Sequence, residues 1–353
     1  RRAARDISAH RRDRLQAVLA AREHADRWIK LVERVWDFYL ELFGQRQTRF
    51  GLLLLAADRI GIDCYQALYT GLDTPRSIPA PPPLSYMETG FTPATFRRGV
   101  PLTRLGKQAN PFPTIELPYH RLVNPWTLGA VHHEVSHNLQ SDLGLWEAVP
   151  RSIARRLRQA GLPPPLADIW ARWNKEIWAD LCGLLLGGPA VVTSLIDVLA
   201  RSPAVALAFN PAGVHPTPYL RTLISLELLG RIGFAAEAER FERLWTRLYP
   251  AVQAGTIPAA FLEAFPEASR LVVDTICFQP YRQLGGRGLA EVVRFKPAYI
   301  PMVVEAAERL AAGTDPGIIP ARFLVGATRH ALEQRLAPPG QIASHFYRAL
   351  STR

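Results

Sequence analysis

Apolar residues at Leu15, Val18, Leu19, Ala25, Ile29, Val32 and Val35 recur mostly three and four apart, with charged residues between them. That period predicts one long amphipathic helix, or two, over residues 1 to 71. The stripe is expected to pack against the rest of the chain, and the aromatics between 36 and 43 read as core. The pattern stops at Asp73. From there to Lys107 come Pro75, Pro79, Pro81, Pro82, Pro83, Pro93 and Pro101, with Gly90 and Gly99 among them. Each proline fixes φ and removes a backbone donor, so an extended linker or wrapped loop is expected, separating the helical opening from the later helices.

Residues 112 to 119 read as a short extended segment. Helical spacing returns with Leu128, Val131, Val135 and Leu139. It predicts a helix over residues 125 to 143, with Asn124 as cap and Pro125 at the first helical position. Another helix is expected around 174 to 183, made largely apolar by Trp178, Leu181 and Leu184 to Leu186. Residues 181 to 200 approach the length of a membrane span. Gly187, Gly188 and Pro189 interrupt them and Asp197 lies beyond, so a buried helix, a turn and a second helix is the better reading. Residues 202 to 214 read as a loop and 217 to 232 as a helix. Beyond 235 further helices are expected at 238 to 248, 257 to 265, 267 to 278, 302 to 312, 321 to 336 and 342 to 350, without a chemical signature.

Chemistry enters with His133-Glu134-Val135-Ser136-His137, an H-E-x-x-H pattern in the middle of the helix over 125 to 143. Histidines four apart sit on one helix face a turn apart, so both imidazoles can converge on one ion, and zinc suits such a pair. Glu134 can reach a water at the metal's open position and take its proton. A third ligand is still needed. Glu176 and Asp180 are again four apart, and two acids in an apolar setting are costly unless bound or paired. Glu176 as ligand, with Asp180 accepting a hydrogen bond from the free ring nitrogen of a liganding histidine, accounts for both.

H-E-x-x-H followed by E-x-x-x-D resembles the gluzincins, zinc metallopeptidases whose third ligand is a glutamate on a later helix. The run from His215-Pro216 to Arg221 is similar to the H-P-x-x-x-x-R segment of the CaaX prenyl protease and stress-induced membrane metallopeptidase family. The resemblance spans residues 112 to 221. It implies His133, His137 and Glu176 as zinc ligands, Glu134 as general base, Asp180 as the support behind a ligand, and His215 and Arg221 as electrostatic or structural supports near the metal. Tyr219 is a second candidate to donate to the developing oxyanion of a tetrahedral intermediate. The implied fold is mostly α, with an α+β zincin core in which the H-E-x-x-H helix lies by a small edge sheet, surrounded by additional helices. Peptide substrates of that clan add as a strand to an exposed edge, for which residues 113 to 119 are the candidate here. The expected organisation is an N-terminal helical region (1 to 72), the proline-rich stretch (73 to 107), the zincin core (108 to 235) and a C-terminal helical region (236 to 353).

Composition narrows the classes. At 353 residues and 48% hydrophobic, the chain is long and apolar enough for a packed core and is not of disordered type. Cys64, Cys182 and Cys277 are odd in number and far apart, so no disulfide framework is implied and a reducing, cytoplasmic location is favoured. The net charge of +11 comes mostly from arginine and suits an acidic partner. Its basic residues are scattered and no nucleic-acid motif of recognised spacing accompanies them, so nucleic acid is not an expected partner. Expected instead are a zinc cofactor and a protein or peptide substrate, with room for a regulatory protein. No transmembrane span is expected, while Arg1, Arg2, Arg5, Arg11, Arg12 and Arg14 permit peripheral contact with a membrane. The chain opens on Arg1 rather than methionine, which permits a processed piece whose targeting segment is out of view. Three readings remain: a zinc metallopeptidase, a non-catalytic zinc-containing scaffold that binds protein or nucleic acid through its basic surface, or a zymogen or regulated protease in which the arginine-rich N-terminus or the proline-rich loop covers the cleft. The intact Glu134 favours the first, since a structural zinc site needs no general base.

Overall fold

A computed structural model describes residues 2 to 72, 75 to 252 and 255 to 352. Arg1 and Asp73, where the basic and the proline-rich stretches open, lie outside them. The fold is mostly helical, with a mixed three-stranded sheet and a two-stranded one. Helix α1 (Arg2–Gly44) leads through a 3-10 turn into α2 (Gly51–Gly71). Strands β1 (Leu84–Glu88), β2 (Ala94–Phe96), β3 (Pro101–Leu102), β4 (Gln108–Ala109) and β5 (Thr114–Pro118) come next, and then α3 (Tyr119–Leu122). The central helices are α4 (Gly129–Asp142), α5 (Ala148–Gln159), α6 (Pro164–Gly187), α7 (Pro189–Leu199), α8 (Pro203–Ala206) and α9 (Pro218–Arg231). The chain closes with α10 (Ala235–Leu248), α11 (Ala259–Val273), α12 (Leu289–Val292), α13 (Ile300–Ala312), α14 (Leu324–Glu333) and α15 (Pro339–Ser351).

Helix α4 runs through the middle. Val131, Val135 and Leu139 are fully buried, as their spacing predicts, and the helix packs on α2, α6 and α7. It begins at Gly129, later than expected. Pro125–Thr127 forms a 3-10 turn, and Asn124 makes no capping bond because its side-chain amide donates to the carbonyl of His120. Helix α6 is the longest of the interior helices, and Trp170, Trp173, Trp178 and Leu184 bury fully along it. The Trp178 indole N–H donates to the Ser136 carbonyl at 3.1 Å and pins α6 to α4.

The apolar run over 181 to 200 divides as expected. Gly188 stands between α6 and α7 at φ 74° and ψ −158°, a conformation essentially confined to glycine. An added Cβ there would lie 2.6 Å from Cδ1 of buried Phe295. Gly188→Ala therefore combines backbone strain with overpacking and is expected to cost about 3 kcal/mol or more, read as a lower urea midpoint. Among the described residues no helix is long and apolar enough to cross a membrane.

Three expectations are corrected. Among the described side chains of α1, those toward its C-terminal end pack: Phe38 and Leu42 are buried against Tyr86, Leu102 and Leu105, whereas residues 9 to 30 are exposed throughout, Leu15, Val18, Leu19 and Ile29 included. The proline-rich stretch is extended and also contributes β1 and β2 to the sheet. Its order is β1-β5-β2, with β1 parallel and β2 antiparallel to β5, so residues 113 to 119 supply the central strand and not an edge. Thr114, Ile115 and Leu117 are buried on both sides of that strand, which is why it reads as extended and apolar. Finally, the helices expected at 257 to 265 and 267 to 278 are one helix that carries Pro266 inside it and ends in a π-turn over Asp274–Phe278. Buried apolar residues from Leu54 to Leu350 form one continuous cluster around α4 and α6.

Candidate metal centre

Helical geometry brings His133 and His137 to the same face of α4, and α6 presents Glu176 opposite them. His133 Nε2 lies 3.1 Å from His137 Nε2 and 3.4 Å from Glu176 Oε2, and His137 Nε2 lies 3.5 Å from Glu176 Oε1. Three donors held 2.0–2.1 Å from a tetrahedral ion are about 3.3 Å apart, and the three separations are of that size, the two imidazoles facing different oxygens of Glu176. Two imidazole nitrogens and one carboxylate oxygen are also a donor set that suits a divalent transition metal. Among the described residues no other group of three such side chains is placed to hold an ion.

A second layer orients the first. The Nδ1–H of His133 donates to Asp180 Oδ1 at 2.8 Å, which fixes the tautomer and leaves Nε2 free for the triangle. Arg221, in the first turn of α9, reaches Asp180 through Nε (2.5 Å) and Nη2 (2.9 Å) and Glu176 through Nη2 (3.2 Å). Behind Glu176, His215 places Nε2 3.6 Å from Oε1, with a side chain 64% exposed to solvent. The expected ligands, Asp180, Arg221 and His215 are thus assembled in one place. Tyr219 is not. Residues two apart on a helix point about 200° apart, so the helix that carries Arg221 to the carboxylates turns Tyr219 away. Its ring packs with Trp245 and Tyr249, and it does not line the cavity.

Burial and charge set the protonation of this cluster. Burial opposes a charge on His133, but the Asp180 carboxylate and the Glu176 hydrogen bond outweigh it and raise the ring to about 10. Burial and then the charge of His133 lower His137 to about 3. Burial also works to raise Glu176, and the His133 hydrogen bond with the Arg221 guanidinium holds it well below the usual carboxylate range. Glu134 is buried, and that burial, reinforced by the Glu176 charge and opposed by His133, raises its carboxyl to about 7. The metal-free cluster thus sets Glu176 and Asp180 against the Arg221 guanidinium and a charged His133 ring, and an ion in the triangle would take the place of the proton on His133.

His132 faces the other way and is no part of the triangle. It is fully buried, with Nε2 donating to the Arg322 carbonyl at 3.0 Å, which ties α4 to the C-terminal helices. Burial lowers its pKa to about 4 against the pull of the Arg322 and Leu128 carbonyls. The unfolded chain, near 6.5, therefore takes up this proton first as pH falls. The fold keeps its full stability from this group above pH 6.5 and loses about 3 kcal/mol as pH falls to 4. His132→Gln should flatten that part of the loss in urea unfolding measured at pH 7 and pH 4.5.

The triad opens into a cavity of about 800 Å³. Its walls include Glu134, His215 and Arg221, and also residues that the sequence does not flag: Thr95 and Arg97 around β2, Trp146 after α4, and Lys175 on α6. Thr95 is anchored by Asn138, whose Nδ2 donates to its Oγ1 at 2.7 Å, one residue past His137. The free edge of the sheet, β2, thus borders the metal triangle. The strand-forming Thr95 and Phe96 were the available signal, and Pro93 with the surrounding prolines masked it. Compared with models of protein families, with curated proteins and with solved structures, the chain matches none of them.

Proposed function

We propose that this chain is a zinc-dependent metallopeptidase of gluzincin type, hydrolysing peptide bonds with a metal-activated water and Glu134 as general base. The observation that carries the reading is the His133, His137 and Glu176 triangle, whose 3.1 to 3.5 Å sides match a tetrahedral ion's donors, opening into a cavity that Glu134 also lines. Zinc bound there supplies Lewis acidity and acidifies a water at its open position.

The chain's own residues do the rest. Asp180 holds His133 by its Nδ1–H so that Nε2 points inward. Arg221 compensates Asp180 and Glu176, which keeps both ionised in a buried site. Glu134 accepts a proton from the attacking water at a carboxylate oxygen and returns it to the leaving amine nitrogen. His215, exposed beside Glu176, is positioned to donate to the oxygen that gains charge in the tetrahedral intermediate. The outer edge of β2, whose residues are half-buried, offers a substrate main-chain pairing, which fixes the chain direction and leaves selectivity to the walls.

The purified 353-residue chain dialysed against zinc should hold about one ion per chain by elemental analysis and should digest a quenched peptide library in a chelator-sensitive way. Stoichiometric zinc with no hydrolysis, together with salt-sensitive nucleic-acid or protein binding, would establish the scaffold reading in its place.

A further inference from the structure

The cavity has a second chemical pole, which the hydrolytic residues leave unused. Arg97, the residue after β2, places its Cζ 3.5 Å from the centroid of the Trp146 indole, and Lys175 on α6 places its Nζ 4.1 Å from the same centroid. All three line the cavity and are half-buried. Two cations are therefore held on one aromatic ring, an arrangement in which each gains from the ring but repels the other. Among the described residues no carboxylate forms an ion pair with either. The hydrogen bond of Arg97 goes to Ser141 Oγ at 3.2 Å, and Asp142 and Glu147 act on the pair only from a distance. Burial lowers the pKa of both groups, and the charge of Arg97 lowers Lys175 further. Half-buried like charges without a counter-ion are costly in a folded protein, and a carboxylate brought into the cavity would remove that cost.

Geometry relates this pole to the bond under attack. Thr95 is tied to Asn138 beside His137, and Arg97 lies two residues further along the chain, just past the end of β2, which is about 7 Å if the chain stays extended. A peptide paired with the free edge of β2 would carry its side chains past the metal triangle and then past Arg97. We propose that Arg97, Lys175 and Trp146 form a carboxylate-binding subsite, selecting peptides with an acidic side chain or a free C-terminal carboxylate about two or three residues from the scissile bond. The selection rests on the peptidase reading for its purpose, but binding tests it independently of hydrolysis. Trp146 packs against the stem of the bound group while the two cations take its oxygens.

The probe is a set of fluorescein-labelled peptides of about ten residues that differ by glutamate against glutamine at single positions and by a free against an amidated C-terminus. Binding is followed by anisotropy on the zinc-loaded Glu134→Gln protein. Acidic peptides should bind at least about 10-fold more tightly than their neutral twins. Arg97→Met should lower the preference and Arg97→Met with Lys175→Met should abolish it, zinc content being unchanged. Arg97→Glu should shift the preference toward lysine peptides. A preference lost on amidation assigns the terminal carboxylate, and one lost at a single glutamate assigns a side chain. Equal binding of acidic and neutral peptides, no binding of either, or a preference that survives the double variant overturns the subsite. Hydrolysis by the Glu134-intact protein separates the two claims. Acid-selective binding without cleavage sinks the peptidase reading alone, and cleavage without acid preference sinks the subsite alone.

Discussion

Glu134→Gln is expected to keep its zinc and to lose hydrolysis by about 10²- to 10⁴-fold in kcat, the range that a positioned general base contributes. The side chain lines the cavity but lies outside the ligand triangle, and the amide has nearly the volume of the carboxyl, so neither packing nor coordination should change. A second effect accompanies the first. In the metal-free protein, burial raises the Glu134 carboxyl to about 7, while the unfolded chain retains the ordinary value. A raised folded pKa contributes stability that is present below the unfolded value and lost as pH rises through the folded one. The wild-type apoprotein should therefore weaken between pH 4.5 and 7, and the glutamine variant should not share that part of the loss. Zinc content, a peptide digest and urea midpoints of the apoprotein at pH 5 and 8 read all three results. Loss of zinc in the variant, or activity retained, removes Glu134 from the catalytic role.

Arg221→Met should destabilise the metal-free protein by about 3 to 5 kcal/mol, the usual result of removing one partner from a buried ionic cluster. The guanidinium lies between Asp180 and Glu176, all three largely buried, and its loss leaves two carboxylates facing imidazoles only. Saturating zinc should return a good part of this stability, because a divalent ion in the triangle takes over the charge facing Glu176. Urea midpoints with and without zinc measure both terms. A midpoint unchanged by the substitution in the apoprotein would show that the Arg221 contacts contribute nothing net.

The residues of the triad were legible because their spacing is a geometric statement: four apart on a helix is one face, whatever else the fold does. Glu176 and Asp180 were found by the same rule, helped by the cost of acids on an apolar helix. His215 and Arg221 came from a motif, and the structure puts both beside Glu176. Tyr219 lies between them in sequence but packs on Trp245 and Tyr249 away from the cavity, because adjacency in sequence says little about helix face when the residues are two apart. Periodicity also located α4, α7 and α9 to within a few residues, and it found the second half of α6, which begins ten residues earlier than its reading. It failed where pairing is non-local. Nothing in Thr114 to Pro118 says that two strands flank it, since β1 and β2 come from a stretch whose prolines point to loop. Arg97, Trp146 and Lys175 were invisible for the same reason: they are distant in sequence and meet only because β2, the turn after α4 and α6 wall one cavity. The apolar stripe of α1 misled in the opposite direction, predicting burial for residues that α1 holds in solvent.

That free stretch has a hydrodynamic consequence. A packed chain of this length would have a radius of gyration of about 20 Å, whereas residues 9 to 30 of α1 are exposed over about 33 Å of helix. The chain should therefore meet more translational friction than a sphere of its mass and diffuse more slowly, and trimming α1 back to about Leu31 should return most of the difference while leaving the Phe38 and Leu42 anchor on the sheet in place.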